Sequence, residues 1–302
     1  TYPYKLHHIL HHQTLIRRTA PGNSKHRKTQ PIAANIDTAF VVSSCNQDFN
    51  VARLERYVAM AMDANVRPVI ILTKRDLCEL GEKEEGEAEN EEESEEEREE
   101  LREDLEWMKD YYLLQAKTIA NGTVPVLLLD ARGDEPQIAL QPYLRRGQTI
   151  AFLGSSGVGK STLLNSLGNS TLAPTAAIHS DSGQGRHTTT RRRIFVLGES
   201  GDQGCVLDTP GLRELKLVDS KKGVEEVFGD LVAIAQKCKF NDCSHAEGTP
   251  GCAIMEAVER EDGTVDEERL ERWEKLLEEE RAMEKVKIRG GRGGEQVNKG
   301  PL

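Results

Sequence analysis

No stretch of the sequence stays apolar for the roughly 20 residues that a membrane-spanning helix needs, which excludes a helical integral membrane protein. Cysteine is scarce, with six among 302 residues, and no secretory signal peptide is visible. We therefore expect a cytoplasmic protein with no membrane partner and with enough length for two domains.

The net charge of −11 has a single local origin. Residues 79–106 carry a net charge of −14, so the remainder of the chain has a net charge of +3. Low hydrophobicity and self-repulsion predict that residues 81–100 form a disordered or partly helical surface insert. A solvated loop extension is the simpler interpretation of this insert, and control of access to a neighbouring pocket is the alternative.

A complete phosphate-binding loop, G-x-x-x-x-G-K-[ST], follows the apolar run 148–153 and precedes a predicted helix, which is the context this motif requires. Backbone N–H groups of such a loop point at phosphate oxygens, its lysine contacts the β- and γ-phosphates, and the next hydroxyl binds Mg²⁺. The predicted nucleotide contacts are Gly154, Ser155, Ser156, Gly157, Val158, Gly159, Lys160, Ser161 and Thr162, with Ser161 also a magnesium ligand.

Two other segments indicate which nucleotide binds. Asp208 ends an apolar strand, where it can hold the Mg²⁺ water shell while the N–H of Gly211 meets the γ-phosphate. Asp76 follows the buried run 69–72, and a carboxylate there accepts hydrogen bonds from guanine N1–H and N2–H₂, donors that adenine lacks. The segment predicts GTP contacts at Thr73, Lys74, Arg75 and Asp76, and it argues against the alternative of a P-loop ATPase or kinase.

Strand and helix signals alternate up to residue 222 and become purely helical after Gly223. The alternation predicts an α/β fold with a mostly parallel sheet covered by helices on both faces. Predicted strands cover 38–43, 68–72, 124–129, 149–153, 193–197 and 205–207, and predicted helices cover 51–65, 101–120, 136–144, 160–167, 224–237, 253–260 and 265–287.

Three of the six cysteines lie with one histidine inside fifteen residues. Thiolates and imidazole suit tetrahedral Zn²⁺, and four protein ligands form a closed structural site. A disulfide pair is the alternative, which the intracellular character of the chain disfavours. The predicted ligands of one zinc ion per chain are Cys238, Cys243, His245 and Cys252, whereas Cys45, Cys78 and Cys205 are predicted to be small core residues.

The guanine-reading segment precedes the phosphate loop by about 80 residues, whereas in common GTPases it follows that loop. Strand ends still meet at one edge of a parallel sheet when the chain order is rotated. With this order and its Cys₃His cluster, the sequence from about residue 9 to about residue 287 resembles the circularly permuted ribosome-associated GTPases of the RsgA (YjeQ) family. The matching stretches are 31–37, 73–76, 154–162, 183–190, 208–211 and 238–253.

The resemblance implies a circularly permuted P-loop GTPase domain followed by a helical zinc-binding domain. It also implies a factor that hydrolyses GTP to GDP, associates with the small ribosomal subunit and its rRNA, and assists late maturation of that subunit; we expect a monomer. We expect an OB-fold remnant and basic linker over 1–35, in which Tyr4–Leu10 is the last barrel strand. A GTPase domain over 36–222 follows, with an acidic insert at 79–106. A zinc domain over 223–290 and a flexible tail over 291–302 complete the expected organisation. Too few residues precede position 36 for a whole barrel, so either the chain is a fragment or the barrel was lost.

Two residues common in GTPases are absent from the matching positions. Thr73 stands where many carry asparagine, and because its hydroxyl replaces only part of an amide, guanine binding should weaken by about 1 kcal/mol. Leu212 stands where many place the glutamine that orients the attacking water.

His187, in the glycine-rich segment 183–190, is the predicted catalytic substitute for that glutamine, because a neutral imidazole can orient water. Thr189, or its neighbour Thr188, is the predicted further magnesium ligand. A catalytic group on a loop predicts slow intrinsic hydrolysis and strong stimulation by a partner that orders the loop. Two alternatives remain, a surface histidine without a catalytic role and a nucleotide-dependent RNA-binding switch with negligible hydrolysis.

Overall fold

A computed structural model describes residues 8, 11–19, 29–79, 95–168, 172, 193–208, 220–260 and 265–291. Four residues with predicted roles in catalysis, magnesium binding or phosphate contact lie outside these ranges, namely His187, Thr188, Thr189 and Gly211. The barrel strand expected at Tyr4–Leu10 lies outside them except for His8, as does the tail beyond residue 291. Within the described part, no helix combines the length and the apolar character that crossing a membrane requires.

The described residues form a six-stranded sheet with the order β5-β4-β3-β6-β8-β7, in which only β7 runs antiparallel. These strands are β3 (Thr38–Ser44), β4 (Arg67–Thr73), β5 (Val126–Leu128), β6 (Thr149–Leu153), β7 (Arg193–Val196) and β8 (Cys205–Asp208). The α/β fold class and all six predicted sheet strands are therefore confirmed.

Helices cover both faces of the sheet and continue beyond it. They are α1 (Val51–Asp63), α2 (Glu95–Lys117), α3 (Glu135–Leu140), α4 (Lys160–Leu167), α5 (Lys221–Val227), α6 (Gly229–Ala235), α7 (Ala253–Glu259) and α8 (Glu267–Gly291), with short 3₁₀ turns at Arg75–Cys78, Ile119–Gly122, Gln141–Tyr143 and Glu199–Gly201.

The central strands β3 and β4 are the most completely buried part of the sheet. Every residue of β3 is buried, and in β4 only Arg67 is exposed. A strand covered on both faces reads as a continuous apolar run instead of an alternating one, which is why the run Val69–Leu72 was recognisable from sequence. Cys45 and Cys78 are buried as predicted, whereas Cys205 is half-buried beside the hydroxyl of Thr149.

A two-stranded antiparallel sheet occupies part of the region that was expected to be a basic linker. Strand β1 (Leu15–Thr19) pairs with β2 (Thr29–Ala34), and the register shifts between Ile16 and Arg17. The hydroxyl of Thr14 connects this pair to the start of the main sheet, since it lies 2.9 Å from the carbonyl oxygen and 2.8 Å from the amide nitrogen of Ile36. The local pattern predicts no strand here, because the two strands pair with each other across a segment rich in basic residues.

The single helix predicted over 224–237 is wrong, because the chain breaks at Phe228 into α5 and α6. The Phe228 side chain is fully buried, with the guanidinium of Arg269 4.8 Å from its ring centre. Close packing of α5 on α1 also constrains the sequence, since a Cβ on Gly223 would lie 1.9 Å from the carbonyl oxygen of Ala59. Tertiary packing therefore decides where this helix ends.

A buried ion network joins α1 to α8. The carboxylate of Glu55 is fully buried, 3.2 Å from Arg269 and 2.9 Å from Arg272. Arg269 also contacts Asp230 at 3.1 Å and donates to the carbonyl oxygen of Val227 at 2.8 Å. Burial raises the pKa of Glu55, while the two guanidinium groups oppose that shift. The network fixes the C-terminal helix against the helix that follows β3.

We expect Glu55→Ala to lower the free energy of unfolding by about 3–5 kcal/mol, because two arginines would lose their buried counter-charge. The matched control is Glu279→Ala, which removes a pair with Arg56 at the same helix boundary where the carboxylate side chain is 38% exposed. That pair should contribute at most about 1 kcal/mol. Urea denaturation of both variants measures the difference, and equal losses would show that burial does not set the strength of this network.

Candidate functional site

The phosphate-binding loop connects the carboxyl end of β6 to the first turn of α4. Gly154 has φ +149, and a Cβ at this position would lie 2.3 Å from the carbonyl oxygen of Val42 on the neighbouring β3. The loop therefore begins with glycine because β3 approaches its backbone closely. Val158, in the middle of the loop, is buried in the core.

The lysine of the loop is turned inward onto the loop's own backbone. Lys160 Nζ donates to the carbonyl oxygen of Gly154 at 2.9 Å and also to that of Ser155. Ser161 and Thr162 follow in the first turn of α4 and are half-buried. A positive end of a helix, loop amides and an ammonium group thus converge at one point, which is the arrangement that binds phosphate.

Thr73 connects the guanine-reading segment to the phosphate-binding loop. It is fully buried at the end of β4, and its hydroxyl lies 2.8 Å from the carbonyl oxygen of Val158 and 3.1 Å from that of Ser43. A single hydroxyl proton serves these two acceptors. Besides the nucleotide contact predicted from the sequence, Thr73 therefore holds the phosphate-binding loop against the end of β4.

Asp76 lies on the 3₁₀ turn directly after β4, and Lys74 enters that turn with φ 60. The Asp76 carboxylate is 3.0 Å from the guanidinium of Arg132, which also contacts Asp130 at 2.7 Å. A guanidinium offers the same type of N–H donors as the edge of guanine. Arg132 therefore occupies the acceptor that the sequence assigned to the base.

Arg75 points away from that acceptor toward α3, where its guanidinium contacts Glu135 at 2.6 Å. The side chain of Arg75 thus holds the turn that carries Asp76. Glu135 also accepts a hydrogen bond from the amide of Asp130 at 3.0 Å. The turn after β4 and the segment after β5 are thereby fixed to one another.

Sequence reasoning missed two residues of this site. Arg132 follows strand β5, whose carboxyl end lies at the same edge of the sheet as the other segments, and this position was the available signal. Arg53, near the start of α1, donates to the hydroxyl of Ser155 at 2.9 Å, across 102 positions of sequence. No local pattern indicates that contact.

Asp208 ends β8 beside the phosphate-binding loop. Parallel pairing aligns Ala151 of β6 with Leu207 of β8, so Asp208 lies next to the end of the strand that leads into the loop. The magnesium ligands predicted at Ser161 and Asp208 are thus on neighbouring elements at one edge of the sheet. The phosphate-binding loop, Asp208 and the turn that carries Asp76 therefore lie at one edge of the sheet.

The predicted metal cluster is assembled between α6 and α7. One ligand atom from each of its four residues lies within 4.8 Å of the others: Cys238, Cys243, His245 and Cys252. His245 Nδ1 is 3.7 Å from the Sγ of Cys238 and 3.6 Å from the Sγ of Cys252. Bonds of about 2.0 Å to nitrogen and about 2.3 Å to sulfur at a tetrahedral angle place such atoms about 3.5 Å apart. The residues therefore fit a tetrahedral ion such as zinc.

The surroundings of the cluster shift the pKa values of three of its four predicted ligands. Although burial acts against it, N–H donors from Ala253 and Ile254 lower the pKa of Cys238, whereas burial raises the pKa of Cys252. Burial also lowers the pKa of His245, which favours the neutral imidazole that a metal requires. The Trp273 ring on α8 lies 5.5 Å from the imidazole, so the cluster is covered by the C-terminal helix.

Comparisons with known proteins agree with this geometry. Residues 9–218 match the RsgA GTPase family. The chain is 37% identical over 272 residues to the small ribosomal subunit biogenesis GTPase RsgA 2 of Vibrio vulnificus, covering 90% of this chain and 67% of that protein. It is 39% identical over 288 residues to the protein of the same name from Lactiplantibacillus plantarum, covering 93% of this chain and 71% of that protein.

The chain thus spans about two thirds of the length of these curated relatives. Its fold is similar to the crystal structure of YjeQ from Thermotoga maritima, with a TM-score of 0.52 and 23% identity over 90% of this chain and 77% of that chain. The family match, the relatives and the permuted order of the nucleotide-binding segments lead to the same conclusion: the chain belongs to the RsgA family of circularly permuted GTPases.

Proposed function

We propose that this chain binds GTP with Mg²⁺, hydrolyses it to GDP and phosphate, and assists late maturation of the small ribosomal subunit by binding that subunit and its rRNA. The observation that carries the proposal is the convergence of the phosphate-binding loop, Asp208 and the Thr73–Asp76 segment at the carboxyl edge of one sheet. The names of the relatives support the ribosomal assignment.

Nucleotide binding would begin with two exchanges of partner. Lys160 would leave the loop carbonyls that it now contacts and move to the β- and γ-phosphates. Arg132 would leave Asp76, so that the carboxylate accepts guanine N1–H and N2–H₂. Phosphate and guanine would thus replace partners that Lys160 and Asp76 have within the chain.

Mg²⁺ would be held by Ser161, by Asp208 and by Thr189 in the glycine-rich segment. When bound, the ion would offset the negative charge of the phosphates. His187 would orient the attacking water, since Leu212 stands at the position where glutamine commonly does so. The subunit would stimulate hydrolysis by ordering the segment that carries His187.

The Cys₃His cluster would hold one structural zinc ion. Helices α6 and α7 have only seven residues each, a length at which isolated helices are unstable in water. Four bonds to one ion would fix both helices and the segment between them. Zinc has no part in the proposed hydrolysis.

We further propose the domain division expected from the sequence, with residues 1–35 as an N-terminal segment, 36–222 as the GTPase domain, 223–290 as the zinc domain and 291–302 as a tail. The end of β2 at Ala34 and the start of α5 at Lys221 lie close to the first two boundaries. The ion network of Glu55 joins the GTPase and zinc domains. We expect a cytoplasmic monomer.

Asp76→Asn should lower the affinity for GTP at least tenfold and raise the affinity for xanthosine triphosphate. The loss follows because hydrogen bonds to a charged group contribute about 1.5–3 kcal/mol each, and the gain follows because an amide N–H matches the O2 carbonyl of xanthine. Competition against a fluorescent guanine nucleotide measures both constants. The control is Asp202→Asn, the same change on the β7–β8 turn, and unaltered GTP affinity in Asp76→Asn would remove Asp76 from the base site.

Protein purified without added metal should contain close to one zinc ion per chain, and Cys243→Ala should lose it. Limited proteolysis should then cut within residues 224–290, while nucleotide affinity stays unchanged because the cluster lies outside the phosphate loop. Cys205→Ala, which alters a half-buried cysteine outside the cluster, should keep its zinc. Full zinc content in Cys243→Ala, or metal-free protein with unchanged proteolysis, would contradict the structural role.

His187→Ala should bind GTP normally and lose about 10²-fold or more of the turnover stimulated by small ribosomal subunits. The loss should appear in kcat and not in KM, because a water-orienting group acts on the chemical step. His179→Ala, a second histidine in the same part of the sequence, is the control. Full stimulation of His187→Ala by purified subunits would assign water orientation to another group.

A further inference from the structure

One face of helix α2 has a composition that the nucleotide site does not explain. At the spacings of a helix face, three acidic residues are followed by three large apolar ones, all of them exposed: Glu100, Glu103, Asp104, Trp107, Tyr111 and Leu114. We call these six residues the acidic-aromatic face. Trp107 is 69% exposed and Leu114 is 62% exposed, so the apolar half is a surface without a partner in the described part of the chain.

The opposite face of α2 already supplies the packing that holds the helix. Tyr112 and Ala116 are buried in the main core, and Met108 packs against it. Folding therefore does not require apolar residues at positions 107, 111 and 114. Helix surfaces directed at water are normally polar, and contiguous exposed apolar groups rimmed by charge mark interaction sites.

The exposed aromatic residues contact one another and the aromatic residues beneath them. Trp107 stacks on Tyr111 with ring centres 5.7 Å apart and an angle of 18°. Tyr111 in turn contacts Tyr112, and Phe49 lies 4.8 Å from the Tyr112 ring centre. Aromatic side chains have few rotatable bonds and lose little conformational entropy on binding. Tryptophan and tyrosine are also among the side chains that most often dominate binding energy.

Charge identifies the chemistry of the partner. The acidic half of the face is continuous with a sequence stretch, residues 79–106, whose net charge is −14. A surface of that sign repels the phosphates of RNA and attracts lysine and arginine. The apolar half then requires large apolar side chains next to those cations. A basic amphipathic protein segment meets both conditions.

We propose that the acidic-aromatic face docks a basic, amphipathic segment of a protein of the small ribosomal subunit, and that it does not contact rRNA. The identity of the subunit rests on the proposed function, whereas the basic and amphipathic character of the segment rests on α2 alone. The face is about 21 Å long from Glu100 to Leu114, which matches four turns of a partner helix.

The intrinsic state of the face is tested first with the isolated chain. The chain has two tryptophans, and Trp273 is 3% exposed, so acrylamide quenching reports on Trp107. We expect strong quenching of Trp107 in the free protein and protection when small subunits bind. Protection already present in the isolated chain would mean that the chain covers its own face, and it would overturn the proposal.

Reversing the charge of the acidic half distinguishes a protein partner from an RNA partner. The variant Glu100→Lys with Glu103→Lys and Asp104→Lys should bind purified small subunits about tenfold more weakly. The control replaces three exposed acids elsewhere, Glu225, Glu226 and Glu247, by lysine, and it should bind equally or more strongly because added cations attract rRNA. If the α2 variant also binds small subunits more strongly, the face lies against RNA or against no partner, and the proposal is wrong.

The apolar half is tested by Trp107→Ser combined with Leu114→Ser, which should weaken subunit binding about tenfold or more. The control is Ile138→Ser on α3, whose side chain is 77% exposed. A photoreactive benzoylphenylalanine at position 114 should form an adduct with a subunit protein that survives ribonuclease. An adduct that ribonuclease removes, or no adduct, would overturn the proposal.

Failure of the proposed function is distinguishable from failure of this surface. If the wild-type chain does not bind small subunits, the ribosomal role fails, and the face is then tested alone with a tryptophan-free helical peptide of lysine and leucine. That peptide should protect Trp107 from acrylamide in the wild type and lose this effect in the triple lysine variant on α2. Equal quenching with and without the peptide would overturn the docking surface itself.

Discussion

The nucleotide site depends on the parallel pairing of β3 with β4 on one side and β6 on the other. This pairing brings the end of the base-reading strand and the start of the phosphate-binding loop to the same edge of the sheet. It also places the Val42 carbonyl oxygen against Gly154 and allows the Thr73 hydroxyl to reach Val158. Backbone hydrogen bonds between strands do not depend on the order in which the chain makes those strands. A permuted chain can therefore build the same site as an unpermuted one, provided that its strands keep these neighbours.

Helix α1 contacts both the phosphate-binding loop at that edge and the C-terminal helix α8. At its first turn, Arg53 contacts Ser155 of the phosphate-binding loop. Further along α1, Glu55 contacts Arg269 and Arg272 of α8. The next residue, Arg56, contacts Glu279 of the same helix. Contacts of α1 thus extend from the phosphate-binding loop to α8, in addition to its packing on the sheet.

The charged groups of the site contact other groups of the chain. Lys160 contacts loop carbonyls, and Asp76 contacts Arg132. Both contacts are partly exposed, so each contributes little to stability and can be exchanged for phosphate or guanine at small cost. If Asp76 accepts the base as proposed, adenine would displace Arg132 without replacing its donors. The contact that is lost would then contribute to discrimination as much as the one that is gained.

The sequence by itself determined the features that depend on local spacing or on composition. The phosphate-binding loop, Asp76 after a buried apolar run and the Cys₃His ligand set are each written within a few residues, and the structure brings each set together. Only the tertiary structure decided the break at Phe228, the pairing of β1 with β2, the occupation of Asp76 by Arg132 and the network of Glu55. Glu55 and Arg269 are 214 positions apart in sequence, and nothing near either residue specifies the other. Such contacts follow from how helices and strands pack, because the burial of a charge is favourable only where packing also supplies its partner.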